Sequence, residues 1–472
     1  MQELSAILDA VDSFLYYPVL IVVLTLGGLY FSLRSKFAQV RLCFESIRIM
    51  SERPGDKDSV SSFGALMVST ASRVGTGNII GVSTAICLGG PGAVFWMWVL
   101  AILGGASALA ESTLAQIFKQ RDKEKGGSYG GPAYYIEGII HSRVLAVIFC
   151  ISLIATYAFG FNALASYNLQ STFSVYPFYD ASVTPLSIGF VTALIAGWCL
   201  FGGSKRIVSV TGLLVPIMGV VYVAAAIIIV IMKIDMLPSV LSMIFADAFN
   251  FKAIGSGIAG SCLVYGIKRG LYSNEAGVGS APNAAAAAHT THPIKQGLIQ
   301  MLSVYIDTIL ICTATAFMCL MSGAPMAKEV AGAQYVQQSM FMVLGDFGPY
   351  FVSVTMVLFA FTTLLGNLFY VDNALAYING KKMPGNLFMS CFRVICVLVI
   401  LVGAIMPMAD AWAIADILMG VMALINIPCI MAGGKLVFKA LSDYEKQRRE
   451  GKNPEFHASS IGLDPEKLDY WK

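Results

Sequence analysis

Residues 63–88 read FGALMVSTASRVGTGNIIGVSTAICL, and residues 253–279 read AIGSGIAGSCLVYGIKRGLYSNEAGVG. Each is long enough to cross a bilayer, for which about 20 apolar residues suffice. Each is also interrupted part-way. Val74-Gly75-Thr76-Gly77-Asn78 interrupts the first. Gly266-Ile267-Lys268-Arg269-Gly270, followed by Ser273-Asn274-Glu275-Ala276-Gly277, interrupts the second. Glycine there permits non-helical main chain, which a membrane tolerates only where it lines a cavity or is covered by protein. An isolated glycine pair more often serves close helix packing, the expected role of Gly104 and Gly105 with Ser107. Two clusters at corresponding depths, each with polar or charged neighbours, point instead to a matched pair of helix breaks, the sequence mark of a transporter's binding site.

Working outward, further apolar runs fall at 15–33, 92–118, 144–172, 186–201, 207–232, 294–321, 350–378, 387–406 and 411–431, which makes eleven in all. The chain is 57% hydrophobic and only 12% charged, against about 25% charged in a soluble domain. So few charges cannot dress a water-facing surface, and lipid must be the solvent for much of the molecule. A net charge of +3 gives no argument for nucleic acid. The ten cysteines are scattered singly without a CxxC pair, and read as small packing residues rather than disulfides or metal ligands. The N-terminus carries acids and no basic region, so the first run is expected to be retained rather than cleaved.

Basic residues set the orientation, because short cytoplasmic loops hold an excess of Lys and Arg. With eleven spans, twenty-four basic residues fall on one side, against Lys233, Lys252 and Lys328 on the other. That places the N-terminus outside and the C-terminus in the cytoplasm of a plasma (inner) membrane. The two interrupted runs each open a set of five, and an odd number inverts the second set relative to the first. The expected division is therefore an accessory helix and cytoplasmic loop (1–62), a first repeat (63–232), an external amphipathic connector (233–252), a second repeat (253–433) and a cytoplasmic tail (434–472). From Leu441 onward the tail is polar, with no periodicity of a buried face.

A half-helix beginning near Asn78 exposes free amides and the positive end of its dipole in mid-membrane, where an amino-acid carboxylate is the natural ligand. Gly75, Thr76 and Gly77 would supply donors, and Asn78 would donate to the carboxylate or offer its carbonyl to a cation. Hard cations want oxygen ligands, and Thr362-Thr363 brings two hydroxyls to bilayer depth. Threonine in a membrane helix also often bonds its own backbone. Ionisable residues inside the runs are candidates by default, since each costs at least about 2.5 kcal/mol at the bilayer centre. They include Arg73, Glu111, Lys268, Arg269, Glu275, Asp307, Asp372 and Asp416. Glu275 reads as an acid at a helix start, Lys268 and Arg269 as partners for acids, and Arg73, Glu275, Asp307 and Asp416 as gating or pairing residues; Glu275 or Asp307 would be the carrier if a proton were coupled. His289 and His292 have a spacing that would suit a shared metal, without cysteines or enough acids to support one. No nucleotide-binding or nucleophile motif is present, so neither an enzyme nor a nucleotide-driven pump is expected. A channel or amino-acid sensor on the same scaffold is the rival to a carrier.

The motifs RVGTGNIIGVSTAI (73–86), GGPGAVFWMWVLAILG (89–104), GGPAYYIEGI (130–139), KRGLYSNEAGVGSAP (268–282), DTILICTATA (307–316) and FAFTTLLG (359–366) resemble those of the alanine or glycine:cation symporters. The resemblance runs in order along nearly the whole chain. It implies an all-α membrane protein of LeuT type, a five-plus-five inverted repeat with one extra N-terminal helix, taking up small neutral amino acids by alternating access. Sodium is the implied co-substrate, with no organic cofactor. It also implies substrate contacts from Ser72, Gly75, Thr76, Gly77 and Asn78, from Ser166, and from Gly270 at the second break. Sodium is implied between main chain at Ala71 and Val74 and the hydroxyls of Thr362 and Thr363. Members often carry Gln where this chain has Ser166 (in GFNALASYN, 160–168) and Trp where it has Asn367. Both differences would enlarge the pocket and admit a larger or more polar substrate such as glutamine or serine.

Overall fold

The computed structural model describes residues 2–52, 60–121, 127–250 and 262–471, most of them α-helical. In chain order the helices are α1 (Ser5–Arg34), the pair α2a (Ser62–Arg73) and α2b (Gly77–Gly89), α3 (Ala93–Ile117), α4 (Arg143–Ser171), α5 (Thr184–Phe201), α6 (Arg206–Met232), the pair α7a (Cys262–Asn274) and α7b (Pro282–Ala287), α8 (Pro293–Leu320), α9 (Phe347–Ile378), α10 (Asn386–Gly403) and α11 (Met408–Ala432). Among the described residues, the nine unpaired ones are long and apolar enough to span a bilayer. In their most apolar stretches α3, α8 and α9 bury two thirds or more of the residues against protein, while α6 and α10 bury less than a third and show apolar faces outward.

Both interruptions are present. α2a starts on Ser61, whose hydroxyl accepts from the Gly64 amide at 2.9 Å, and ends where Val74 turns to φ −75°, ψ 89°. α2b then runs to Gly90, which adopts φ +95°. The second interruption lies further along than the glycines suggest. Gly266 to Gly270 are helical, and the chain unwinds at 275–281, where Glu275, Gly277 and Gly279 take φ of +52°, +83° and +90°. Left-handed geometry cannot continue a right-handed helix. Gly266 serves close packing instead: a side chain there would fall 2.6 Å from the Ala93 carbonyl oxygen of α3. Glu275 therefore follows a helix end rather than opening a helix, and Pro282 opens α7b. Residues 253–261 of the expected run lie outside the described residues.

α3 is the hub. A Cβ on Gly104 would meet Ala276 at 2.8 Å and one on Gly105 the Tyr305 ring at 3.0 Å, which fits the packing role expected of this pair. At its N-terminal end the Gly92 amide donates to Asp247 (2.8 Å), tying down the amphipathic helix Leu237–Ala248. α1 reaches α7a through an ion pair between Asp12 and Lys268, whose ammonium also sits 4.9 Å from the Tyr16 ring.

The tail, expected to show no periodicity of a buried face from Leu441 onward, opens with a helix that has one. This further helix, α12 (Gly434–Arg449), buries Val437, Ala440, Leu441 and Tyr444, a spacing that begins before Leu441 and so escapes a reading that starts there. Beyond it, Phe456, Ala458, Ile461 and Leu468 are buried against the same end of the molecule.

Candidate functional site

The two unwound segments meet. Asn78 Oδ1 accepts from the Gly75 amide (2.8 Å), and its Nδ2 donates to Ser273 Oγ (3.0 Å) and Asp307 Oδ1 (2.7 Å). Ser273 Oγ and Thr308 Oγ1 each donate to Asp307 Oδ2 at 2.7 Å. Asn78 thus holds the first break in shape and ties it to α7a and α8, a role beyond the ligand contact expected from sequence.

Across the same junction, Ser72 Oγ lies 2.8 Å from Asn367 Oδ1 and 3.1 Å from Glu275 Oε1, while Ser280 Oγ donates to Glu275 Oε2 (2.6 Å) and Asn367 Nδ2 donates to Asn162 Oδ1 (2.9 Å). One hydroxyl proton at Ser72 faces two acceptors, so oxygen is in surplus here, which suits an ammonium group. The α2b N-terminus, the positive end of that helix's dipole, suits the carboxylate of the same zwitterion. Thr76 Oγ1 accepts from Asn168 Nδ2 (3.0 Å), and a Cβ on Gly77 would fall 2.6 Å from the Tyr272 ring. Tyr272 packs between Phe161 and Trp412, each 4.8 Å away by ring centroid. Asn162 Nδ2 and Ser166 Oγ are buried with no partner among the described residues.

The two threonines differ. Thr362 Oγ1 donates back to the Leu358 and Phe359 carbonyls of its own helix (3.0 and 3.1 Å). Thr363 Oγ1 is buried without a partner among the described residues, and a Cβ on Gly75 would collide with it. Main chain at Ala71 and Val74 is buried close by, at the end of α2a where helix carbonyls lose their amide partners. This donor set, hydroxyl with peptide oxygen, fits a hard monovalent cation.

Charges bracket the junction. Arg269 pairs with Asp416 (2.6 Å) and lies 3.9 Å over the Trp412 ring, joining α7a to α11 on the α7a side of the break. Arg73 is 1% exposed and donates to the Gln300 carbonyl (3.1 Å), and its Nε and Nη2 have no partner among the described residues. Glu111 accepts from Asn426 (2.8 Å) and from the Gly277 amide (3.4 Å).

Residues 1–458 match the family described as the sodium:alanine symporter family. The chain belongs to that family. It is 38% identical, over 97% of its length and 94% of the relative's, to a protein of Bacillus subtilis (strain 168) named probable sodium/glutamine symporter GlnT. Amino-acid carrier protein AlsT of the same organism is 40% identical over 92% of this chain and 91% of its own. Among solved structures, MhsT in complex with L-phenylalanine matches with a TM-score of 0.60, covering 82% of this chain and 93% of that one at 15% identity, which shows the fold alone. The protein is thus a multi-pass membrane symporter of LeuT-type fold that uses sodium as co-substrate.

Within this symporter, Ser72, Gly75, Thr76, Gly77, Asn78 and Asn367 gather around one junction, with Glu275 and Asp307 among them, and Ser166 is buried on α4 one turn beyond Asn162. Gly270 does not join them. It lies on continuous α7a facing α3, where a Cβ would sit 3.1 Å from Leu100, because the break falls beyond Asn274. Tyr272, Trp412, Ser280 and Asn168 were not singled out beforehand. Asn162 and Asn168 had a signal, two amides in the apolar stretch GFNALASYN; Trp412 sits in an apolar run and had none.

Proposed function

We propose that the protein carries a small neutral amino acid of the alanine or glycine class inward across the plasma (inner) membrane, driven by sodium entering with it. The N-terminus would lie outside and the C-terminus in the cytoplasm, as the distribution of basic residues suggests. The observation that carries this reading is the junction of two broken helices, bridged by Asn78, Ser273 and Asp307 and offering a helix N-terminus on one side and surplus oxygen on the other. Substrate would contact Ser72, Gly75, Thr76, Gly77 and Asn78. Sodium would sit between main chain at Ala71 and Val74 and the Thr363 hydroxyl. No covalent chemistry is ascribed to the site.

A second reading keeps the carrier and changes its cargo to a larger polar amino acid such as glutamine or serine. It is favoured by Asn162 Nδ2, a buried polar atom beside the junction that a side-chain carbonyl or hydroxyl would satisfy. One experiment addresses both: uptake of labelled alanine into proteoliposomes, with and without an inward sodium gradient, competed by the twenty amino acids. Gradient-driven accumulation, competed by alanine and glycine, is expected. Accumulation indifferent to sodium removes the coupling, and stronger competition by glutamine or serine selects the second reading.

A further inference from the structure

The corner that follows α1 carries a surface made of only two kinds of residue. α1 ends at Arg34, and the chain turns through Lys36 and Phe37, both at φ +55°, into two short helices, Ala38–Arg41 and Cys43–Met50. The turn is closed from inside. The Lys36 amide donates to the Leu33 carbonyl (3.1 Å), the Phe37 amide to the Ser32 carbonyl (2.7 Å), and Arg41 Nε to the Lys36 carbonyl (2.7 Å). Left-handed backbone at two residues that are not glycine costs free energy, so the surrounding structure must hold the chain in this direction. Inward, Leu42, Glu45, Ser46 and Ile49 are buried, and Glu45 accepts from the Tyr444 hydroxyl of α12 (2.8 Å). Outward, every exposed residue from 33 to 48 is either apolar or basic. Phe37, Val40, Phe44 and Ile47 recur at helical spacing, and Phe44 is 85% exposed. They extend the exposed row of Leu26, Leu29 and Leu33 on the spanning helix α1, so the left-handed corner lets one apolar face continue past the end of that helix.

The charges around this face do not balance. Glu45 pairs with both Arg48 (2.6 Å) and Arg448 (3.0 Å), and Glu445 with both Arg41 (2.9 Å) and Arg449 (3.2 Å). Glu52 is divided in the same way between Lys295 (2.8 Å) and Arg48 (3.8 Å). These three carboxylates serve five cations, and the exposed Arg34 and Lys36 add two more. A helix with phenylalanine and aliphatic side chains on one face and arginine and lysine beside them suits the boundary of a bilayer, and a cationic surplus there attracts anionic headgroups. We propose that residues 33–48 form a binding surface for anionic phospholipid, with Phe37, Val40, Phe44 and Ile47 among the acyl chains and Arg34 and Lys36 at the phosphates. That the leaflet is the cytoplasmic one rests on the orientation proposed above, whereas the preference for anionic lipid does not.

The test uses the full chain in nanodiscs of equal phosphatidylglycerol and phosphatidylcholine. It carries the photoreactive p-benzoylphenylalanine in place of Phe44 or, as a control, in place of Val220, which is 69% exposed on α6. Irradiation joins the probe to whatever lies against it, and mass spectrometry of the intact protein reads the adduct. Phosphatidylglycerol adducts should exceed phosphatidylcholine adducts by about three-fold or more at 44, and follow the even composition of the bilayer at 220. Replacing both cations, Arg34→Gln with Lys36→Gln, should bring the ratio at 44 down to that at 220. The same fall is expected in about 1 M salt, where the Debye length shrinks to about 3 Å, and this arm decides alone if the double substitution does not fold. Absence of any lipid adduct at 44 would overturn the proposal and hand the face to a protein partner. Equal adducts of the two lipids at low salt would overturn it too, leaving ordinary boundary surface, and an enrichment untouched by salt would refute the assignment to Arg34 and Lys36. The readout involves no uptake, so none of these results bears on the transport reading.

Discussion

Asn78 does two jobs with one carboxamide: its oxygen fixes the Gly75 amide, and its nitrogen reaches Ser273 and Asp307. Removing it leaves buried partners unmatched, at about 1–3 kcal/mol for each group. Asn78→Ala is therefore expected to abolish uptake while the protein still elutes as a folded species on size exclusion; near-normal transport would take Asn78 out of the site. The threonine pair gives a sharper contrast. Thr363→Val should raise the sodium concentration for half-maximal uptake ten-fold or more, because its hydroxyl stands unpaired against Gly75. Thr362→Val should change it by less than two-fold, because that hydroxyl is turned back onto carbonyls of its own helix. Equal sodium dependence in the two variants would refute this assignment. Sequence made both threonines candidates and raised their backbone-bonding alternative, but which hydroxyl turns inward depends on the helix rotation, invisible in two adjacent identical residues.

At the scale of elements, the existence of both breaks was legible and the place of the second was not. Glycines at 266 and 270 look like helix breakers, yet they sit where α3 leaves no room for a side chain, so packing claims them. Unwinding instead begins at Glu275, a residue whose type gives little hint of a left-handed conformation. The corner after α7b offers an element-scale test. His292 caps α8, its Nδ1 accepting from the Ile294 amide (3.2 Å) while Nε2 faces Asp443 (3.3 Å), with Lys295, Tyr444 and Phe456 also around it. Burial pushes its pKa from 6.5 down to about 4, a fall that Lys295 deepens and the Asp443 carboxylate opposes. The folded state therefore holds the neutral ring, and its contribution to stability is complete above pH 6.5 and lost as pH falls toward 4. Thermal melting of the purified protein should show that loss, and His292→Asn, which keeps a capping oxygen, should flatten the curve across this window. An unaltered curve would mean His292 does not titrate there.

For the whole molecule, the all-helical fold of LeuT type was readable because a lipid solvent forces long apolar segments to announce themselves. The docked tail was not, since its contacts are made by single aromatic and polar residues in a polar stretch, with no repeating pattern to read. Nor was the link between the extra first helix and the moving core. The Asp12–Lys268 pair spans that boundary with little water around it, and Lys268 stands one position before the arginine that joins α7a to α11. If α7a tilts during a cycle, α1 must either ride with it or surrender a shielded charge. A dye tethered near the start of the chain would then sense each turnover as a change in its surroundings, making the N-terminus a natural place to listen to the machine.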